Sequence, residues 1–268
     1  MHIFELDTWL LAALILAVVL AAGVLAFAVA RRLRSRSDHL REPYGVLQAA
    51  LFGVVALILA FGLSLAVGRH DSRRTAVVNE ANAIGTTYLR AQTIPEPMRS
   101  TSLDLLVDYT DTTIALANSV PGSAAAERAI TEGQALQDDL WAQAGLALDA
   151  SPDGSAVRLY VETLNDMIDQ ETVRISALNN RVPGAVLLLE VIAAACAVAL
   201  LTFVLALHGR GFGPALVAAS LMAVLLFVTF DLDRPTRGTI RVPDAPLTDL
   251  RESMDQPPAA AAPADPGG

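Results

Sequence analysis

Four apolar runs, at 9–30, 46–68, 185–207 and 212–230, constrain this chain more than any other feature. A helix rises about 1.5 Å per residue, so ~20 residues cross a hydrocarbon layer of ~30 Å. Each run is close to that length and almost free of charge. The bilayer interior offers no water to backbone N–H and C=O groups, so such runs cross it as helices that satisfy their own hydrogen bonds. The expectation is an all-α integral membrane protein: four transmembrane helices in two pairs, with a helical soluble region between the pairs. The lipid bilayer is its first partner.

Flanking charges separate an anchor from a cleaved leader. The opening MHIFELDT carries acids and no Arg, and RRLRSR follows the first run. A signal peptide has its positive charge before the apolar run, so the first run reads as an uncleaved span. Leu-, Ala- and Val-rich spans with few aromatics suit a multi-pass protein of a bacterial inner (plasma) membrane. The expected domains are 1–68 for the first span pair, 69–182 for the soluble region, 183–231 for the second pair and 232–268 for a tail. The closing QPPAAAAPADPGG is low-complexity and expected to be disordered.

Between the pairs, charges become frequent and apolar residues recur at helical spacing. Helices are expected at about 69–92, 101–118 and 123–148, separated by Pro95 and Pro97 and by Pro121-Gly122. Start signals at Ser151 to Asp153 open a fourth, whose stripe runs through Val157, Tyr160, Leu164, Met167, Thr172, Ile175 and Leu178.

Composition excludes several function classes. A net charge of -9 argues against a nucleic-acid partner. The single cysteine, Cys196, lies inside an apolar run and reads as a small buried hydrophobe. His2, His39, His70 and His208 have no metal-ligand spacing, and no phosphate loop or nucleophile elbow is present, so no enzyme and no cofactor are implied.

Several residues invite a functional reading beside a structural one. Glu190 lies inside the third span, where a carboxylate is costly; it serves the helix start and interface, or a conduction path or subunit contact. Arg69, Arg73 and Arg74 leave the second span together, with Asp71 and Glu80 available as ion-pair partners. They form a solvated juxtamembrane helix, or an anion-attracting ring if copies of the chain assemble around an axis. In the second span Ser64 is the chief polar residue, and Leu57 and Phe61 either pack against other spans or build an apolar neck that gates by dewetting. Gly53, Gly62 and Gly68 permit close helix approach there, and Gly85 makes sense where another helix passes. Asp231, Asp233, Arg234 and Pro235 end the fourth span, either as an exit with Arg234 at the headgroups or as a segment folding back on the soluble helices.

The stretch LILAFGLSLAVGRHDSRRTAVVNEANAIGTTYLRAQTIPEP resembles the bacterial bestrophin-like family, and FDLDRPTRGTIRVPDAPLTDL resembles the segment that closes it. Together the likeness covers roughly 46 to 253. True bestrophins are pentameric anion channels whose second span lines a narrow apolar neck. The resemblance therefore implies a homo-oligomer passing small anions, with Leu57 and Phe61 at the neck when Arg69 is placed on the basic residue that ends that span. The Trp-rich stretch of bestrophins is replaced here by RHDSRRTAVVNEANAIG, and no acidic loop has calcium-ligand spacing, so calcium gating is not implied. A second class of function is a non-conducting sensor or scaffold whose helical region binds a partner. Orientation is divided. The Arg-rich link after the first span (Arg31, Arg32, Arg34, Arg36, Arg41) puts the soluble region outside, whereas the resemblance puts it in the cytoplasm.

Overall fold

The computed structural model describes residues 7–33, 41–234 and 238–256, with the side chains of 41–45 left out. The low-complexity close from 257, Pro235, Arg237, His2, His39, Arg34 and Arg36 lie outside the described residues. The described chain is helical throughout, without strands: α1 (Thr8–Leu33), α2 (Arg41–Ala91), α3 (Met98–Ala117), α4 (Ala124–Ala150), α5 (Ser155–Asn179), α6 (Gly184–Leu207), α7 (Gly213–Leu232) and α8 (Ala245–Met254). Four helices are long and apolar enough to cross a membrane: α1, the start of α2, α6 and α7. The second span and the first soluble helix, expected as separate elements, are one 51-residue helix. No Pro interrupts the sequence between Gly68 and Ala91, so the backbone ladder continues through the change of polarity.

Two compact units result: Met1–His70 with Arg181–Arg241, and Asp71–Asn180 with Val242–Gly268. In the first, α1 packs along α6 and α7, and α6 packs on α7. The face α1 buries is Leu11, Ile15, Val19 and Gly23, a four-residue repeat set against Leu187, Ala194, Val198 and Leu226. Its outer faces carry Leu14, Leu25, Leu188, Ile192, Val217 and Leu221, all exposed. Cys196, expected to be buried, is exposed on α6, because its neighbours Ala193, Ala194, Ala197 and Val198 hold the inward positions. Of the three second-span glycines only Gly62 is closely approached; nothing lies within 4 Å of a Cβ at Gly53 or Gly68.

The second unit is a helical bundle of the rest of α2 with α3, α4, α5 and α8. Its core includes Ile84, Leu106, Tyr109, Leu140, Tyr160, Leu164, Met167 and Leu247. Ser123 caps α4 by accepting from the Ala126 N–H at 3.2 Å. The chain after the fourth span folds back on these helices. In α8, Leu247 and Met254 are buried, and the Arg251 Nε donates to Asp111 at 2.9 Å. Burying two such side chains stabilises α8 by roughly 1.5–3 kcal/mol each. Leu250 Cδ1 lies 3.1 Å from where a Cβ on Gly85 would stand, so α8 passes close over this glycine.

Candidate functional site

The second span presents one face that no other part of its own unit covers. Val54, Leu57, Phe61 and Ser64 follow at spacings of three and four, which is one stripe of a helix. All four are exposed, Phe61 at 63%. The opposite face, with Val55, Leu59, Gly62 and Ala66, is buried. The expected neck residues Leu57 and Phe61 therefore do not pack against the protomer's other spans.

The expected basic collar is divided. Arg74 and Asp71 are exposed and Arg69 is half-buried, but Arg73 is buried. Its Nε and Nη2 donate to the carbonyls of Ala177 (3.3 Å) and Asn180 (3.0 Å). These carbonyls end α5, where a helix leaves acceptors unsatisfied and its dipole attracts a cation. In helical phase, the Leu57–Phe61–Ser64 stripe continues through Gly68 to Asp71, its first charged residue, while Arg69 and Arg74 lie to either side of the stripe.

Glu80, expected to pair with the collar arginines, pairs instead with Arg174 of α5 at 2.5 Å. Arg174 is buried and its Nη2 also donates to the Thr113 carbonyl of α3 at 3.1 Å. One turn earlier on α5, Glu171 accepts from Gln137 of α4, whose amide also donates to the Tyr109 hydroxyl of α3 at 3.1 Å. Four helices thus meet on one polar cluster in an otherwise apolar core. Burial pushes the Glu80 carboxyl up to about 7, against the pull of Arg174 and with Glu171 adding to the rise. Burial also raises Glu171, against its Gln137 hydrogen bond and Arg174.

Sequence reading missed this cluster for a definable reason. The buried stripe of α5 is Val157, Tyr160, Leu164, Met167, Glu171 and Arg174, with regular three-four spacing. The expected stripe slipped by one residue to Thr172, which is exposed, because Glu171 and Arg174 are charged. Keeping strict phase would have placed both inside.

Glu190 stands two turns into α6, fully buried, and neither carboxyl oxygen has a hydrogen-bond partner. A Cβ on Gly62 would lie 1.3 Å from its Oε1. The carboxyl group therefore occupies the space left by the missing side chain of Gly62, next to Phe61 on α2. The helix-start and headgroup reading does not describe this packing.

The post-span motif is internal too. Asp231, Asp233 and Arg234 are all buried, so Arg234 does not sit at headgroups. Asp231 Oδ1 accepts from the Thr239 N–H at 3.0 Å; its Oδ2 accepts from the Thr239 hydroxyl at 2.5 Å and the Ile240 N–H at 3.0 Å. Asp233 Oδ1 accepts from the Val182 N–H at 3.0 Å. A Cβ on Gly238 would lie 2.8 Å from the Asp231 carbonyl, so only Gly allows the chain to double back here. The two aspartates pin both segments that enter and leave the second span pair.

No curated protein matches the chain in sequence. Solved structures match its fold. A bacterial bestrophin homologue from Klebsiella pneumoniae, in a point-mutant form, aligns with a TM-score of 0.68 at 15% identity, covering 90% of this chain and 96% of that one. The structure of the same homologue phased on zinc gives a TM-score of 0.66 at 16% identity, covering 90% and 96%. A further membrane protein structure gives 0.68 at 16%, covering 91% and 97%. The family model for the Bestrophin-like domain matches residues 13–247. This chain is a membrane protein that belongs to the Bestrophin-like domain family.

Proposed function

We propose that the protein forms a ring of identical protomers in the inner (plasma) membrane, with α2 lining a path for small ions and Leu57, Phe61 and Ser64 at its neck. The observation that carries this reading is the exposed Val54–Leu57–Phe61–Ser64 stripe, an apolar face that ends in a hydroxyl. Exposed apolar residues on α1, α6 and α7, with the exposed Ser220 on α7, suit lipid equally well, so the choice of the α2 face draws on the family likeness. In a ring, such faces meet around a narrow constriction that passes ions only when wetted. Small anions as the permeant class follow from the family likeness, with Arg69 and Arg74 attracting them. Asp71, in phase with the neck, opposes that preference, and Asp71→Asn raises the anion-to-cation flux ratio. Placing Ser64→Cys in a Cys196→Ser background tests the lining. A charged, membrane-impermeant thiol reagent is expected to modify the cysteine and reduce ion flux. Modification only by lipid-soluble reagents would put this face against lipid.

A second reading, a sensor or scaffold, draws on a cleft of about 510 Å³ in the soluble unit. It is lined by Asn79, Asn82 and Thr86 of α2 and Thr163, Asp166, Asp169 and Gln170 of α5. This cleft suits a polar ligand or partner loop and calls for no conduction.

A further inference from the structure

We propose that the Glu80–Arg174–Glu171 cluster is a proton-binding site built into the soluble unit, whose occupancy sets how firmly α2 is held to α5. The cluster contains two carboxylates and one guanidinium, all buried. With both carboxylates ionised it holds one surplus negative charge; the other buried arginine of this unit, Arg73, stands two turns before Glu80 on α2 and donates to the carbonyls that end α5. Titratable groups face Glu80 from two elements: Arg174 and Glu171 from α5, and Tyr109 from α3. The α4 element faces the cluster with the neutral Gln137.

The hydrogen bonds point the same way. Glu80 Oε2 takes the Arg174 donor, while Glu80 Oε1 is buried without one. Glu171 takes its donor from a neutral amide rather than from the guanidinium. One shared proton on the carboxylate pair removes the surplus charge without disturbing the Glu80–Arg174 ion pair. Loss of that proton leaves two like charges around one cation, and the strain is relieved by loosening α2 from α5. Because the two carboxyls interact, the proton belongs to the pair rather than to either residue.

The sign follows from the raised carboxyl. Glu80 titrates near 7 in the fold against an ordinary value of 4.5. Between those values the folded chain holds a proton that the unfolded chain has released. Stability from this site therefore rises as pH falls from about 7 toward 4.5, and is absent above 7.

The test is thermal melting of the full-length protein in lipid nanodiscs at pH 6 and pH 8, beside Glu171→Gln and Glu80→Gln. Glu171→Gln keeps the Glu80–Arg174 pair and serves if Glu80→Gln fails to fold. The wild-type midpoint is expected to rise on acidification by roughly 3–5 °C more than that of either variant. Variants that keep the wild-type pH slope would overturn the proposal. Equal stabilisation of the wild type at pH 8 by sodium or potassium chloride, lost in Glu171→Gln, would also overturn it in favour of a cation site. Infrared spectra supply a direct readout: a protonated-carboxyl band present at pH 6 and lost in Glu171→Gln supports the site, and its absence from the wild type refutes it. None of these readouts depends on ion conduction.

Discussion

Within its spans the membrane unit treats a buried carboxylate differently from the soluble unit, although at the end of α7 it too joins Asp231 and Asp233 to N–H and hydroxyl donors. In the soluble unit, carboxylates and arginines are drawn inside and joined: Glu80 to Arg174, Glu171 to Gln137, Arg73 to the end of α5. In the membrane unit, Glu190 is buried alone and held by shape, its carboxyl filling the space left by Gly62. The surfaces differ as well. The outer faces of α1, α6 and α7 display Leu, Val and Ile, while the soluble bundle displays mainly charges and amides. The same side chain therefore carries a different meaning in each unit. A buried charge in the bundle marks a network, and an exposed leucine on the spans marks contact with lipid or with a second copy.

The largest expected effect breaks the network. Arg174→Ala leaves Glu80 buried without its counter-charge and is expected to destabilise the protein by about 3–5 kcal/mol, read as melting in detergent micelles. Glu80→Gln combined with Arg174→Met, which removes both charges, recovers much of that loss. If Arg174→Ala melts like the wild type, the cluster contributes nothing to the bundle.

The next effect concerns shape. Gly62→Ala places a methyl on Glu190 and is expected to cost about 1–3 kcal/mol from overpacking. In the Glu190→Ala background the same change is expected to be nearly neutral, so a double-mutant cycle isolates the contact. Additive losses would mean that the two residues do not meet.

A third pair of substitutions, which includes the smallest effect, sharpens the contrast between surfaces. Leu221→Asp on α7 puts a charge on an exposed apolar position of a span, at about 2.5–3.5 kcal/mol if it lies at mid-bilayer, and is expected to lower membrane insertion. Val173→Asp on α5, also exposed, is expected to change stability by no more than about 0.5 kcal/mol. Equal tolerance of both would remove the distinction between the two exteriors.

Much of the fold was readable because the strongest signals were long and local. Span length, the Arg-rich flank and the Pro breaks set the helices to within a few residues. The Pro121-Gly122 break announced the start of α4, and Gly85 a helix passing close by. What escaped was long-range or hidden by residue type. Nothing near Glu80 in sequence names Arg174, and charge disguised the inward phase of α5. The burial of Arg73 depends on carbonyls brought in from the end of α5. The pairing of Gly62 with Glu190 depends on the rotation of two spans, which a run of Leu, Ala and Val leaves undetermined.

The central claim is that α2 lines an ion path with Phe61 at its neck. Ion flux from liposomes holding the purified protein, with Phe61→Ala alongside, tests it most directly. Flux above empty liposomes that rises, or changes selectivity, in the variant is the predicted result. No flux above empty liposomes, from protein shown to be folded and oligomeric, would contradict the claim and turn attention to the polar cleft of the soluble unit.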